Sequence, residues 1–236
     1  MIVFFVMIFA TFVQTVSGFG IALVAMPFLV TALGIQTASP LMSLCGGTAG
    51  LALLIRYRSG LKPRAVGRLV VAALVGIPLG IVLLRRVDPI FFSRLLGVML
   101  IAYAVYTLRS STIPAVTDQR WAYLFGFMAG LTAGAYAVPG PPVIVYATTQ
   151  QWDTITFKSN LQSFASVSGL VLIAGHLLSG NVTGIVLGQY ALALPGIGLG
   201  LGAGALLDRY IDAQRFRRLI LYLLLLMGLQ LILQLG

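Results

Sequence analysis

Glycine and proline interrupt this chain at two places where neither favours a helix. The stretches are Ser17–Gly18–Phe19–Gly20 and Val138–Pro139–Gly140–Pro141–Pro142, each inside an apolar segment. A break at membrane depth frees backbone N–H and C=O groups that lipid cannot satisfy, so it persists where it lines a cavity. A helix that restarts beyond the break turns unpaired N–H groups, and about half a positive charge, toward that cavity. The expected restarts are Gly20 to Ala22 and Pro142 to Ile144, since proline in a first turn loses nothing by lacking an N–H. The chemistry on offer is capture of a small anion by backbone donors. The competing reading makes both breaks ordinary kinks packed on small residues.

Polar side chains within the apolar segments supply the rest of a candidate wall. Gln14 and Ser17 flank the first break, and Tyr136 and Tyr146 flank the second. Asn160, Gln162 and Ser163 fall early in a later span, with Ser43 at the matching place in the first half. Amide and hydroxyl donors suit an oxyanion that accepts several hydrogen bonds. Each could equally bond a neighbouring helix, an interaction worth about 0.6 kcal/mol on average in membranes. Lys158, beside the second break, either draws an anion inward or extends its amine to the surface. Asp88, Asp118, Asp153, Asp208 and Asp212 all lie at segment ends or in loops, so no buried carboxylate relay is expected. His176 sits near the end of a span and reads as structural. Pairing it with Ser17 as a hydrolytic dyad finds no further support, because the glycine pattern around that serine is incomplete. The reading is therefore of a protein that is not an enzyme, with no metal cluster, nucleotide loop or cofactor.

The elements that must position these residues are membrane helices. The 236 residues are 59% hydrophobic and 8% charged with mean hydropathy +1.03, against about a quarter charged in a soluble domain. Apolar runs near the length of a span recur throughout, and the short alternating segments of a barrel are missing. Expected spans cover Ala38 to Ile55, Ala65 to Leu84, Ile90 to Leu108, Ile155 to Leu178, Val182 to Leu207 and Ala213 to Leu235. Ile2 to Leu33 and Trp121 to Gln150 are too long for one span and too interrupted for two. Their lengths suit broken or re-entrant helices. The N-terminus lacks a basic region and a cleavage site, so it reads as part of the membrane domain. Cys45 is the sole cysteine, which rules out an intrachain disulfide.

The two odd regions belong to an internal repeat. A shift of 120 places Gly20 on Gly140, Ser43 on Ser163 and Ser59–Gly60 on Ser179–Gly180. A shift of 124 places Asp88, Phe92 and Arg94 on Asp212, Phe216 and Arg218, and Gly76 and Gly80 on Gly200 and Gly204. The halves are residues 1–110 and 119–236, joined by a polar linker at 111–118. The net charge of +10 suggests nucleic acid, but the basic residues sit in short tracts between apolar segments, as in cytoplasmic loops. If each broken region returns to the side it entered from, 12 of the 15 Lys and Arg share one face. If each crosses once, the split is 8 to 7 and the bias vanishes. The first arrangement puts both termini outside and inverts the halves relative to each other. The expected fold is an all-α polytopic membrane protein of two inverted repeats, each with one broken region and three transmembrane helices. That is the organisation of secondary transporters.

The motif "SGFGIALVAMP", followed by "GLTAGAYAVPGPPVIVY" at the opening of the second half, resembles the TauE/SafE family of sulfite and organosulfonate exporters. The resemblance covers essentially the whole chain; Ala137 and Val138 depart from a more glycine-rich form. It implies transport of small sulfur-containing anions, usually outward, across the bacterial inner membrane, so that both termini are periplasmic. Carried over by position, the substrate region involves Gly18, Phe19 and Gly20 with Gly140, Pro141, Pro142 and Tyr146. Expected partners are a small anion and the lipid bilayer, with no nucleic acid; a homodimer is compatible. An anion channel built from the same half-helices is the rival reading.

Overall fold

The computed structural model describes residues 1–57, 63–109, 118–150, 152, 154–207, 210 and 212–233. Residues 111–117 of the expected linker, and residues 58–62 of the first basic tract, lie outside the described residues. Among the described residues there are ten helices and no strand: α1 (Ile2–Ser17), α2 (Ile21–Leu33), α3 (Ile35–Tyr57), α4 (Pro63–Arg86), α5 (Pro89–Arg109), α6 (Trp121–Tyr136), α7 (Gly140–Thr149), α8 (Thr154–Leu178), α9 (Gly184–Leu207) and α10 (Ala213–Leu233). Helices α3, α4, α5, α8 and α9 are long and apolar enough to cross a bilayer. Helix α10 carries a shorter apolar stretch, Arg218–Leu233. The chain is a multi-pass membrane protein, and the expected broken regions are the pairs α1–α2 and α6–α7.

Lipid is as apolar as leucine, so close backbone packing must hold these helices together. Glycine provides it. A Cβ at Gly126 or Gly134 of α6 would collide with the carbonyl of Leu69 or Ile77 on α4, and one at Gly130 would lie 2.5 Å from Ala73 O. On α9, Gly196, Gly200 and Gly204 press on Phe4, Ile8 and Thr15 of α1 in the same way. Both pairs run parallel, since the contacts ascend together in sequence. Helices α3 and α8 run antiparallel, with Gly47 beside Gly169 and Gly50 beside Ser166. So do α5 and α10, where Gly97 meets Gly228 and Ile232, and Gly228 meets Ile101.

Contacts recur in matched pairs across the halves. The first helix of each half lies on the fourth helix of the other, α1 on α9 and α6 on α4. Gly76 and Gly80 meet α6, and their partners 124 residues on, Gly200 and Gly204, meet α1. The ring of Phe92 packs on Tyr136 at 4.8 Å, and that of Phe216 on Phe12 at 5.8 Å. Asp88 Oδ1 accepts the Phe91 N–H at 2.9 Å and caps α5; Asp212 Oδ1 accepts the Arg215 N–H at 3.2 Å and caps α10. The Asp–Pro pair at 88–89 thus opens a helix as its residue types require.

The α4–α6 contact has no room for a side chain, whereas a Cβ at Gly188 would meet nothing within 4 Å. Gly134→Leu is expected to lower the Tm of the detergent-solubilised protein by about 5 °C or more, and Gly188→Leu to leave it unchanged. Equal melting curves would remove the close crossing from the list of forces that hold the halves together.

Candidate functional site

The two breaks meet. Helix α1 ends at Gly18, left-handed at φ 84°, and α2 begins at Ile21 after Gly20 at φ 104°, inside the expected window. Only glycine takes these angles without strain. Helix α6 ends at Ala137, the single non-glycine residue with positive φ among those described, at 54°. Helix α7 begins at Gly140, two residues before the expected Pro142. A Cβ at Gly140 would lie 3.8 Å from Leu23, so the first turns of α2 and α7 are neighbours. Between them is a cavity of about 70 Å³, lined from both breaks and by Leu161, Gln162, Phe164 and Ala165 of α8. One water needs about 10–15 Å³, so the space suits a small polyatomic ion.

The hydrogen-bonding balance of this cavity favours an anion. Carbonyls at the end of α1 are occupied: Gln14 O accepts from Gly18 N–H at 2.8 Å and Val16 O from Lys158 Nζ at 3.4 Å. Gly18 O accepts from Gln162 Nε2 at 2.9 Å. At the end of α6, Ala133 O and Thr132 O accept from the N–H groups of Ala137 and Val138. The donors facing them are not occupied in this way. No side chain caps α2, so the N–H groups of Gly20, Ile21, Ala22 and Leu23 have no partner within the helix. These backbone carbonyls are filled and the backbone donors of α2 are open; the amide oxygen of Gln14 is the exception among the acceptors named here.

The second break contributes differently from what its sequence suggests. The expectation of several free N–H groups there fails, because the earlier start places Pro139, Pro141 and Pro142 among the four residues whose donors a helix leaves unpaired. Proline has none, so Gly140 alone offers an N–H. Helix α7 therefore brings a dipole end and an apolar wall, and α2 brings the hydrogen bonds.

Gln14 ties the site together. Its Nε2 donates to Gln162 Oε1 at 3.1 Å, and Gln162 Nε2 passes the chain to Gly18 O. The Gly18 carbonyl fixes the orientation of Gln162, which fixes that of Gln14 and leaves Gln14 Oε1 buried without a partner. A second cavity of about 60 Å³ adjoins the first and shares Gln14, Ile21, Ala22, Pro139 and Ala165 with it. Ser43 lines this second cavity, its Oγ donating to Pro40 O at 2.7 Å.

Of the residues named from sequence, Gln14, Gly18, Phe19, Gly20, Gly140 and Gln162 surround the first cavity. Ser17 folds its own corner, with Oγ 2.7 Å from Val13 O and 2.6 Å from Phe19 O, and turns toward Tyr103 and α10. Tyr136 packs on Phe92, and Tyr146 sits among Phe125 and Trp152. Pro141 and Pro142 are buried in the first turn of α7, and Asn160 and Ser163 are buried on α8; all four lie outside the two cavities. Lys158 packs its stem against Gly18. His176, which bonds Asn181 at 3.0 Å, stands 18 residues up α8 from Lys158, about 27 Å at helical rise, so it cannot serve Ser17. Sequence reasoning missed Gly46, Gly47, Ala165, Ser168 and Gly169. Their one signal is a run of small residues at helical spacing, which any packed membrane helix also shows.

The family model described as Sulfite exporter TauE/SafE matches residues 3–231. A relative from Cupriavidus necator, "Probable sulfite/organosulfonate exporter TauE", is 25% identical over 193 residues, covering 78% of this chain and 75% of that one. No solved structure matches the chain.

A Cβ at Gly140 would make ordinary contacts, 3.6 Å from Ile144 and 3.8 Å from Leu23, but a longer side chain there would fill the cavity. Gly140→Ala is expected to retain ligand-induced thermal stabilisation, and Gly140→Leu to lose it while remaining monodisperse. Stabilisation of both variants by the same ligands would move the site elsewhere. Ala137→Gly should raise stability by about 1 kcal/mol by relieving the left-handed alanine, read from the Tm.

Proposed function

The chain belongs to the sulfite exporter TauE/SafE family, and on that premise we propose that it is a secondary transporter carrying small sulfur-containing anions outward across the bacterial inner membrane. Sulfite and organosulfonates are the substrate class, as the name of the Cupriavidus relative suggests, and sulfoacetate is one member that fits it. The observation that carries the reading is the cavity between α2 and α7, where backbone donors are open and nearby carbonyls are occupied. Sulfur oxyanions present several acceptor oxygens and so complement such a wall. Among the described residues no cationic side chain lines the cavity itself, which keeps release of an anion cheap, as transport requires.

The same proposal takes the two halves as inverted repeats that rock around this site, with both termini periplasmic. The antiparallel runs of α3 against α8 and α5 against α10 support it, because corresponding helices of the two halves point in opposite directions. The clustering of basic residues on one face supports the orientation. Among the described residues no aspartate lies mid-span, so a proton relay has no evident seat. Export then follows the membrane potential, at about 2.3 kcal/mol per charge per 100 mV.

In proteoliposomes, efflux of a monoanionic sulfonate is expected to rise with an inside-negative potential and to reach a gradient of about fifty-fold per 100 mV. Efflux that ignores the potential would overturn uniport of an anion. Unitary currents at the same sites would assign the half-helices to a channel instead.

A further inference from the structure

The two cavities share five wall residues, and the sharing has a direction. Along α8 the first cavity is lined by Leu161, Gln162, Phe164 and Ala165 and the second by Ala165, Ser168, Gly169 and Leu172, with Leu161, Ala165, Ser168 and Leu172 as a common stripe. These positions recur every three or four residues and so face one way. From Leu161 to Leu172 the stripe rises about 16 Å, half of the roughly 30 Å hydrocarbon layer. Across from it, Ser43, Gly46 and Gly47 of α3 border the second cavity. The common wall contains the first turn of α2, whose N–H groups are open, and Gln14, which is 4% exposed with an unpartnered Oε1.

We propose that the two cavities are successive stations of one oxyanion route along this stripe of α8, and that Gln14, Ile21, Ala22, Pro139 and Ala165 form the movable septum between them. The proposal rests on the transport reading and adds a second binding station, the order of the two, and the residues that divide them. A septum built on the first turn of α2 lets an ion pass from one cavity to the other without releasing the backbone donors. Ala165 is the narrow point because it is the one α8 residue common to both walls. Its methyl group leaves an opening that a larger side chain would close. Gln14 changes partners as the septum moves, since the bond to Gln162 that binds it on one side leaves its oxygen unpaired on the other.

The test uses the full-length chain with Cys45, its only cysteine, replaced by Ala, and one new thiol at a time. Leu161→Cys, Ala165→Cys and Leu172→Cys are compared with Val167→Cys, which is 41% exposed on the outer surface of the bundle. Labelling by a cationic, membrane-impermeant methanethiosulfonate is read in right-side-out and in inverted vesicles. We expect Leu161→Cys to react at least tenfold faster from one face and Leu172→Cys at least tenfold faster from the other. Ala165→Cys should react from both, and tenfold more slowly in saturating sulfoacetate. Ala165→Leu should cut flux more than tenfold, whereas Val167→Leu, outside both cavities, retains it. Reaction of Leu161→Cys and Leu172→Cys from the same face, or from neither, overturns the route, as does full flux through Ala165→Leu. If the unsubstituted chain moves no sulfur anion, the function falls, while the sidedness of labelling still decides whether the cavities form one route.

Discussion

A backbone N–H or C=O inside a bilayer must find a partner within the protein, and this constraint governs the molecule. Most of the chain meets it with unbroken helices. At two places it does not, and the side chains around those places are arranged to answer the groups set free. Lys158 and Gln162, on a helix from the other half of the chain, reach the carbonyls that α1 leaves behind at its end. The N–H groups at the start of α2 receive no such help. A site with this imbalance has a sign before any charged residue is placed in it. Because these donors belong to the backbone, substitution of side chains can change the size of the cavity without removing them.

The scaffold that holds the breaks together follows from another consequence of lipid. With no solvent to drive helices together, proximity itself must supply the energy, and glycine allows the closest approach. The α4–α6 and α1–α9 crossings exchange helices between halves, so each broken region leans on the half to which it does not belong. The first helix of each break is therefore braced by rigid contacts with the other half as well as by its own loop.

Much of this was legible in the sequence, and the reasons are specific. The spans follow from length and hydropathy. The breaks follow from Gly18, Gly20 and the proline cluster, because each residue type acts on its own backbone. Side-chain destinations are another matter. Tyr136 and Tyr146 flank a break in sequence yet turn into ring clusters, since helical phase, rather than nearness along the chain, decides which way a side chain faces. Ser17 bonds its own backbone, as a serine at a helix end commonly does. The small residues of α8 stayed hidden because Ala165, Ser168 and Gly169 carry the same signature whether they pack a helix or line a void. The free donors at Pro139–Pro142 were overcounted because the number of N–H groups at a helix start depends on its first residue, and a shift of two changes it.

The three prolines at the start of α7 have an effect beyond the bonds they withhold. Two halves with identical breaks, exchanging roles by a two-fold operation, would give open states of equal free energy on the two sides of the membrane. Here one break offers a set of donors and the other a single one, so the exchange does not return the molecule to an equivalent state. The two breaks therefore differ in what they can offer a ligand, and the difference is set by where proline stands in the chain.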